Sequence, residues 1–268
     1  MNKINASGIY IEVWERSFFL RVNSFQYSEY YRPAKRPAIS IVIALNKPFV
    51  VSLIDGTPPT ICHSMIVGPD VLRENFIAEE ADLWVFDVGI HTQEYHDLLS
   101  IIHINEVQIL SDAQHHTVVK LCRSHDTDLP ARNLLTSVVY SLCQQQPHDW
   151  LDTRIHRALT IIDNTTIDEL SIATISSQIG LSESRLRALF AKEMGCNLSR
   201  YIRFIGFWRA ILLVVHGNNF TEAAHSAGFY DLPHFNRVAA EFSGFSPSMG
   251  LLLFGTFELH QQRKILSQ

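Results

Sequence analysis

The sequence predicts an α+β protein of two unlike parts. A strand-rich N-terminal part with trailing helices comes first, and an all-α domain with two helix-turn-helix units follows. Three observations carry this reading. Residues 17–88 alternate short apolar runs with turn residues, and from about His91 the apolar spacing changes to threes and fours. Further on, residues 171–190 and 220–237 each show a short amphipathic helix, a glycine at the turn, a polar N-cap and a second helix with apolar residues facing back.

The candidate strands span residues 18–25, 39–45, 49–53, 61–67 and 83–88. They are rich in β-branched and aromatic side chains, which fit a pleated, half-buried surface. Pro33, Pro37, Pro48, Gly56, Pro58, Pro59, Gly68 and Pro69 punctuate them. Short strands at near-regular spacing predict a small barrel or sandwich. Helices follow over 93–103, 112–122 and 130–145, with apolar residues at helical spacing. The polar run Gln144-Gln-Gln-Pro147-His-Asp149 contains a helix breaker and sets the domain junction. The division is therefore 1–148, 149–250 and a C-terminal tail, 251–268.

The C-terminal domain opens with a helix over 150–163 whose Leu151, Ile155, Leu159 and Ile162 form one stripe. Ser171 caps the next helix and Gly180 gives its C-terminus the backbone freedom it needs. Ser182 then caps the first recognition helix. Leu186, Leu189 and Phe190 face inward there, leaving Ser184, Arg185 and Arg187 outward. A helix over 198–216 is apolar nearly all round, as a helix touched by both units must be, and Gly217-Asn-Asn219 ends it. Asp231 caps the second recognition helix, with Pro233 tolerated in its first turn. Phe235, Val238 and Phe242 face inward, and His234, Asn236 and Arg237 outward.

The chain carries a formal charge of −5, unevenly spread. Residues 1–149 hold eleven Lys/Arg against seventeen Asp/Glu, and residues 150–268 hold eleven against ten. Between 185 and 209 stand Arg185, Arg187, Lys192, Arg200, Arg203 and Arg209, opposed only by Glu193. Such an excess on a helix-turn-helix face suits phosphate neutralisation. The DNA-binding candidates are Ser182, Ser184, Arg185, Arg187 and Lys192, then Pro233, His234, Asn236 and Arg237. The N-terminus Met1-Asn-Lys-Ile-Asn5 lacks a signal-peptide core, and no apolar run approaches the roughly 20 residues that span a bilayer. Cys62, Cys122, Cys143 and Cys196 form no C-x-x-C, so a reducing cytoplasm is the expected compartment, with no membrane contact.

At these residues the chain resembles the AraC/XylS family of bacterial transcription regulators. The second unit carries the closer match, through Ala224, Gly228-Phe229, Asp231, His234-Phe235, Arg237-Val238, Gly244 and Ser246-Pro247. The first matches through Ser182, Leu186, Phe190, Gly195, Tyr201 and Ala210. Departures stand at Ala188 and Gly206, where the family usually has an Arg, and at Ala239-Ala240, where it typically has Phe-Lys; the family's usual Arg soon after Ser246-Pro247 is also absent. The resemblance implies a cupin-like N-terminal β-barrel that binds a small-molecule effector, and trailing helices that form a homodimer. It further implies binding to double-stranded promoter DNA and activation with RNA polymerase, without a cofactor.

Trp14, His63, Trp84 and Phe86 are the candidates for an effector pocket, although aromatic residues on strands are more often core. His91 with His96, or His115 with His116, invite a metal, but their spacing matches no strong zinc pattern and no H-E-x-x-H occurs. The chain also lacks G-x-S-x-G, a phosphate loop and a dinucleotide fingerprint, so no enzyme activity is expected. Two other readings stay open: a degenerate regulator acting through protein contacts, and a metal-dependent cupin enzyme.

Overall fold

The computed structural model describes residues 9–14, 16–24, 33–52, 58–73, 75–103, 105–143 and 151–244. The expected junction at 144–149, Ser246-Pro247, the 251–268 tail and the expected ends at Phe25, Leu53, Gln145 and Trp150 lie outside these residues.

The N-terminal part is built from β1 (Ile9–Trp14), β2 (Ser17–Val22), β3 (Ile39–Ala44), β4 (Phe49–Ser52), β5 (Thr60–Cys62), β6 (Ser64–Val67), β7 (Asn75–Ile77), β8 (Leu83–Val88) and β9 (Val107–Ile109). Three helices join them: α1 (Gln93–Leu99), α2 (Asp112–Ser124) and α3 (Ala131–Cys143). Six strands pair in the order β1-β2-β8-β3-β6-β9, and three in the order β5-β4-β7. All the strand pairings are antiparallel.

The period-two alternation of these strands decides what each face touches. Val22, Val42, Ala44, Met65, Val67 and Leu83 of the large sheet share a core with Phe49, Val51 and Cys62 of the small one. Their sequence neighbours Ile41, Ile43, Ile66, Trp84 and Phe86 belong to a second core with Tyr95 and Leu98 of α1, Val118 and Cys122 of α2, and Leu134, Leu135 and Val138 of α3. Both faces of β3 are buried as a result. Among the described residues the strands thus make two facing sheets with distinct edges rather than one closed ring. The expected sequence of strands followed by helices and an all-α domain is the observed one.

Three strands escape a reading by pattern. β1 carries Glu12, yet Glu12 is buried because both carboxylate oxygens accept the Ala131 N–H at the start of α3, at 3.0 and 3.1 Å. β7 and β9 are three residues long. The run expected over 61–67 splits at His63 into β5 and β6, which belong to different sheets. The helix expected over 93–103 ends at Leu99. The apolar faces of α2 and α3 are buried within the chain. The exposed face of α3 is Asn133, Thr136, Ser137 and Tyr140.

The C-terminal part comprises α4 (Thr153–Asn164), α5 (Ile172–Ile179), α6 (Glu183–Met194), α7 (Leu198–Val215), α8 (Phe220–Ser226) and α9 (Leu232–Ser243). Ser171, Ser182, Asn197, Asn219 and Asp231 each accept a backbone N–H at a helix start. Gly180, at φ +73°, closes α5 in the left-handed conformation that a side chain would disfavour. The N-terminal outer core and the core of these six helices are continuous.

Candidate nucleic-acid interface

α6 buries Leu186, Phe190 and Met194 against α4, α5 and α7, with the Phe190 and Tyr201 rings 5.4 Å apart. Its periodicity therefore leaves Ser182, Glu183, Ser184, Arg185, Arg187, Ala188 and Lys192 exposed. α9 buries Phe235, Val238, Ala239 and Phe242, and Phe242 lies 5.2 Å from Phe204 of α7. Pro233, Asn236 and Arg237 are exposed, whereas His234 is half-buried with its ring against Phe229 at 5.3 Å. The two helix-turn-helix units, α5–α6 and α8–α9, are joined by α7, whose Tyr201, Phe204, Ile205, Phe207, Trp208 and Ala210 are all buried.

The basic cluster read from the sequence is divided by the fold. Arg185 has no side-chain partner among the described residues and is exposed. Arg187 donates to Ser199 Oγ at 2.8 Å and lies 3.7 Å from Glu183. Lys192 is 3.5 Å from Glu193 and highly exposed. Arg200 is largely buried between Asp70 and Glu241, at 2.9 and 3.0 Å. Arg203 also meets Glu241, at 3.4 Å. Arg209 donates to the carbonyls of Ile162, Asp163 and Thr165, where α4 leaves its last carbonyls without helical partners. Arg200 and Arg209 therefore hold the chain together instead of facing outward, while Arg203 stays exposed beside Glu241.

Sequence reading missed Tyr230. It sits in the turn before α9 and is 86% exposed, the most exposed of the large apolar or aromatic side chains among the described residues. The signal was available, since the buried Phe229 and the capping Asp231 on either side fix which way the chain must turn.

Two helix-turn-helix units on one shared helix are now in place, and residues 175–249 match the family described as a helix-turn-helix domain. That match runs from within α5 to beyond α9 and so takes in both units. A curated relative of the chain is the lactose operon transcription activator of Staphylococcus xylosus, 22% identical over 182 residues. That match covers 59% of the chain and 65% of the relative, so the chain spans a little under two thirds of the relative's length. Solved structures of ToxT from Vibrio cholerae share the fold. One matches with a TM-score of 0.56 at 12% identity, covering 88% of this chain and 97% of ToxT. A second, of unsaturated fatty acid bound wild-type ToxT, matches at 0.57 and 12%, covering 96% and 100%.

Two of the departures from the family pattern have physical reasons in the structure. Gly206 is buried, and a Cβ there would lie 2.6 Å from Ile167 Cδ1 and 3.3 Å from Phe229 Cζ, so a long basic side chain has no room. Ala239 is buried in the core of the second unit. Ala188, by contrast, is exposed on α6, and nothing in the structure explains the absence of an arginine.

The effector candidates do not converge on one lining. Trp84 and Phe86 lie on the helix-covered face of the large sheet, packed on Phe19 at 5.2 and 4.9 Å. Trp14 is half-buried and joins the same core. His63 is exposed between β5 and β6, 5.2 Å from His115. Among the described residues no group of three or more His, Cys, Asp or Glu could hold a metal ion. No helix of the described residues is long and apolar enough to cross a membrane.

A polar seam joins the N-terminal part to the helical one. Nε2 of His91 accepts from both Arg16 and the Tyr201 hydroxyl, and Arg16 also pairs with Asp163 of α4. Burial lowers the His91 pKa to about 4; Asp163 opposes that, and Arg16, His96 and His156 add to it. Phe18 of β2 packs on Trp208 of α7 at 6.1 Å in the same region.

Proposed function

We propose that the chain is a sequence-specific regulator of transcription that binds promoter DNA through α6 and α9. The observation that carries this reading is the exposure of the first turns of both recognition helices, backed by one buried helix, α7. Ser182, Ser184, Arg185, Arg187 and Lys192 would face one stretch of major groove. Pro233, His234, Asn236 and Arg237, with Tyr230 added, would face the next, about 34 Å along the duplex. Backbone-directed contacts set the register, and the outward side chains read bases. The name of the Staphylococcus relative supports an activator, working with RNA polymerase in the cytoplasm. The described residues between 91 and 143 offer no large uncovered apolar face, so pairing of two chains as a homodimer rests on the family likeness.

The working division is 1–148 for effector binding, 149–250 for DNA and 251–268 as a tail. The facing sheets support a cupin-like N-terminal domain, and the fatty acid bound by ToxT supports a small-molecule effector for this chain too. An effector between the sheets would meet Leu20, Phe49, Phe76 and Val85 instead of Trp84 and Phe86, because those four side chains line the inter-sheet core. Effector binding would act by favouring one arrangement of the two parts.

The test is enrichment of random-sequence duplex DNA by the purified full chain, repeated with Arg185→Ala combined with Arg237→Ala. The parent is expected to enrich a two-part motif, and the variant to lose it while keeping the parent's circular dichroism spectrum. A parent that enriches no sequence overturns the reading.

A further inference from the structure

Both recognition helices are gripped at their C-terminal ends by the N-terminal part. Tyr95 of α1 is completely buried and donates its hydroxyl to the carbonyl of Met194, the last residue of α6, at 2.6 Å. The backbone N–H of Lys35 donates to the Glu241 carbonyl, in the last turn of α9, at 2.9 Å. Both carbonyls belong to the set that a helix end leaves without a partner in its own helix.

Arg200 of α7 stands beside the second grip. It meets Asp70 and Glu241, donates to the Lys35 carbonyl, and lies over the Phe242 ring at 5.4 Å. Residues 34 and 36 fix the segment that carries Lys35 to the rest of the N-terminal part. Ala34 and Arg73 exchange backbone hydrogen bonds, Asp70 N–H donates to the Arg36 carbonyl, and the Arg36 guanidinium pairs with Asp87 of β8 at 2.7 Å. The path from the large sheet to the end of α9 is thus a chain of direct polar contacts. The first turns of α6 and α9, which carry the base-reading candidates, take no part in it.

We propose that these contacts form a brace by which the N-terminal part fixes the angle between α6 and α9, with Tyr95 and Asp70 as its positioning residues. The proposal rests on the DNA-binding reading and states how that interface is regulated. The brace touches the helices from behind, so it leaves the DNA face open. What it controls is whether both helices meet successive grooves at once, and an effector that shifted α1 or the Asp70 turn would change spacing selectivity before anything else. A buried ion pair is costly to leave half-made, which makes the Arg200 grip sensitive to small displacements.

The experiment uses the full chain and the DNA motif that the parent enriches. Affinity is measured for that motif, for a version with one base pair inserted between its halves, and for one half alone. The variants are Tyr95→Phe, which removes one oxygen and keeps the ring, and Asp70→Asn, which keeps the shape and removes the charge. Each is expected to lower the preference for the correct spacing over the inserted one about five-fold, the scale of one buried hydrogen bond. Binding to the single half should stay at the parent value, a separation that general loss of structure would not produce. An unchanged or sharpened spacing preference in folded Tyr95→Phe overturns the brace, whatever the fate of Asp70→Asn. A parent that enriches no DNA overturns the DNA-binding reading itself, whereas a binding parent with unaltered variants overturns the brace alone.

Discussion

Mild acid should loosen the seam between the two parts of the chain, and His91 is the reason. Its Nε2 faces two donors, Arg16 and Tyr201, so the neutral ring fits and a proton placed there does not. With an ordinary pKa of 6.5 and a buried value of about 4, the ring binds fewer protons in the closed seam than in the open one. The closed state therefore keeps its full stability above the open-state pKa and loses it as pH falls from 6.5 toward 4. At about pH 5.5 the linkage favours opening roughly ten-fold, or ~1.4 kcal/mol, and the ceiling below both values is ~3 kcal/mol. The other groups facing the ring are Asp163, His96 and His156, and Asp163 reduces the effect. The assay is urea unfolding of the parent and of His91→Gln, whose amide oxygen still accepts but does not titrate, at about pH 7.5 and about pH 5.5. The parent should lose ~1 kcal/mol more than the variant over that interval. Parallel losses would refute the placement of a neutral His91 between two donors.

Gly68→Ala should lower stability by about 1–3 kcal/mol in a thermal melt, because its Cβ would lie 2.4 Å from the His103 carbonyl oxygen and 2.9 Å from that of Glu106, both backbone atoms. Gly206→Ala should be nearly neutral in the same melt, since the obstructing Ile167 Cδ1 is a side-chain end that can turn away and alanine gains about 1 kcal/mol of helix propensity. Arg185→Ala should weaken specific DNA binding by about 1–3 kcal/mol without moving the melting temperature. Arg200→Ala should do the reverse first, destabilising the fold by leaving the buried Asp70 without its arginine, while Glu241 keeps only Arg203. Arg237→Ala should cost less binding than Arg185→Ala, because the outward face of α9 carries one arginine and a half-buried histidine; equal losses in titrations at one salt concentration would contradict that ranking.

The helical part was legible because its signals are local. Ser182 and Asp231 cap, Gly180 turns, and Leu186 and Phe235 face inward for reasons contained within a few residues of sequence. Arg200 and Arg209 read as outward charge because their partners are distant: Asp70 lies in the other part of the chain, and the Ile162 carbonyl is the end of another helix. β1 was hidden by Glu12, whose burial makes sense only once α3 is brought to it. For Trp84 and Phe86, alternation tells that they share a face of β8 but not that helices cover it. Gly206 read as a lost arginine until the approach of Ile167 showed a packing requirement.

The central claim is that α6 and α9 enter successive grooves of one duplex together. Hydroxyl-radical footprinting of the full chain on a fragment it enriches tests this most directly. The account predicts two protected patches on one face of the DNA, about one helical turn apart, with Arg185→Ala thinning one patch and Arg237→Ala the other. A single protected patch, or one patch that both substitutions thin alike, would contradict it.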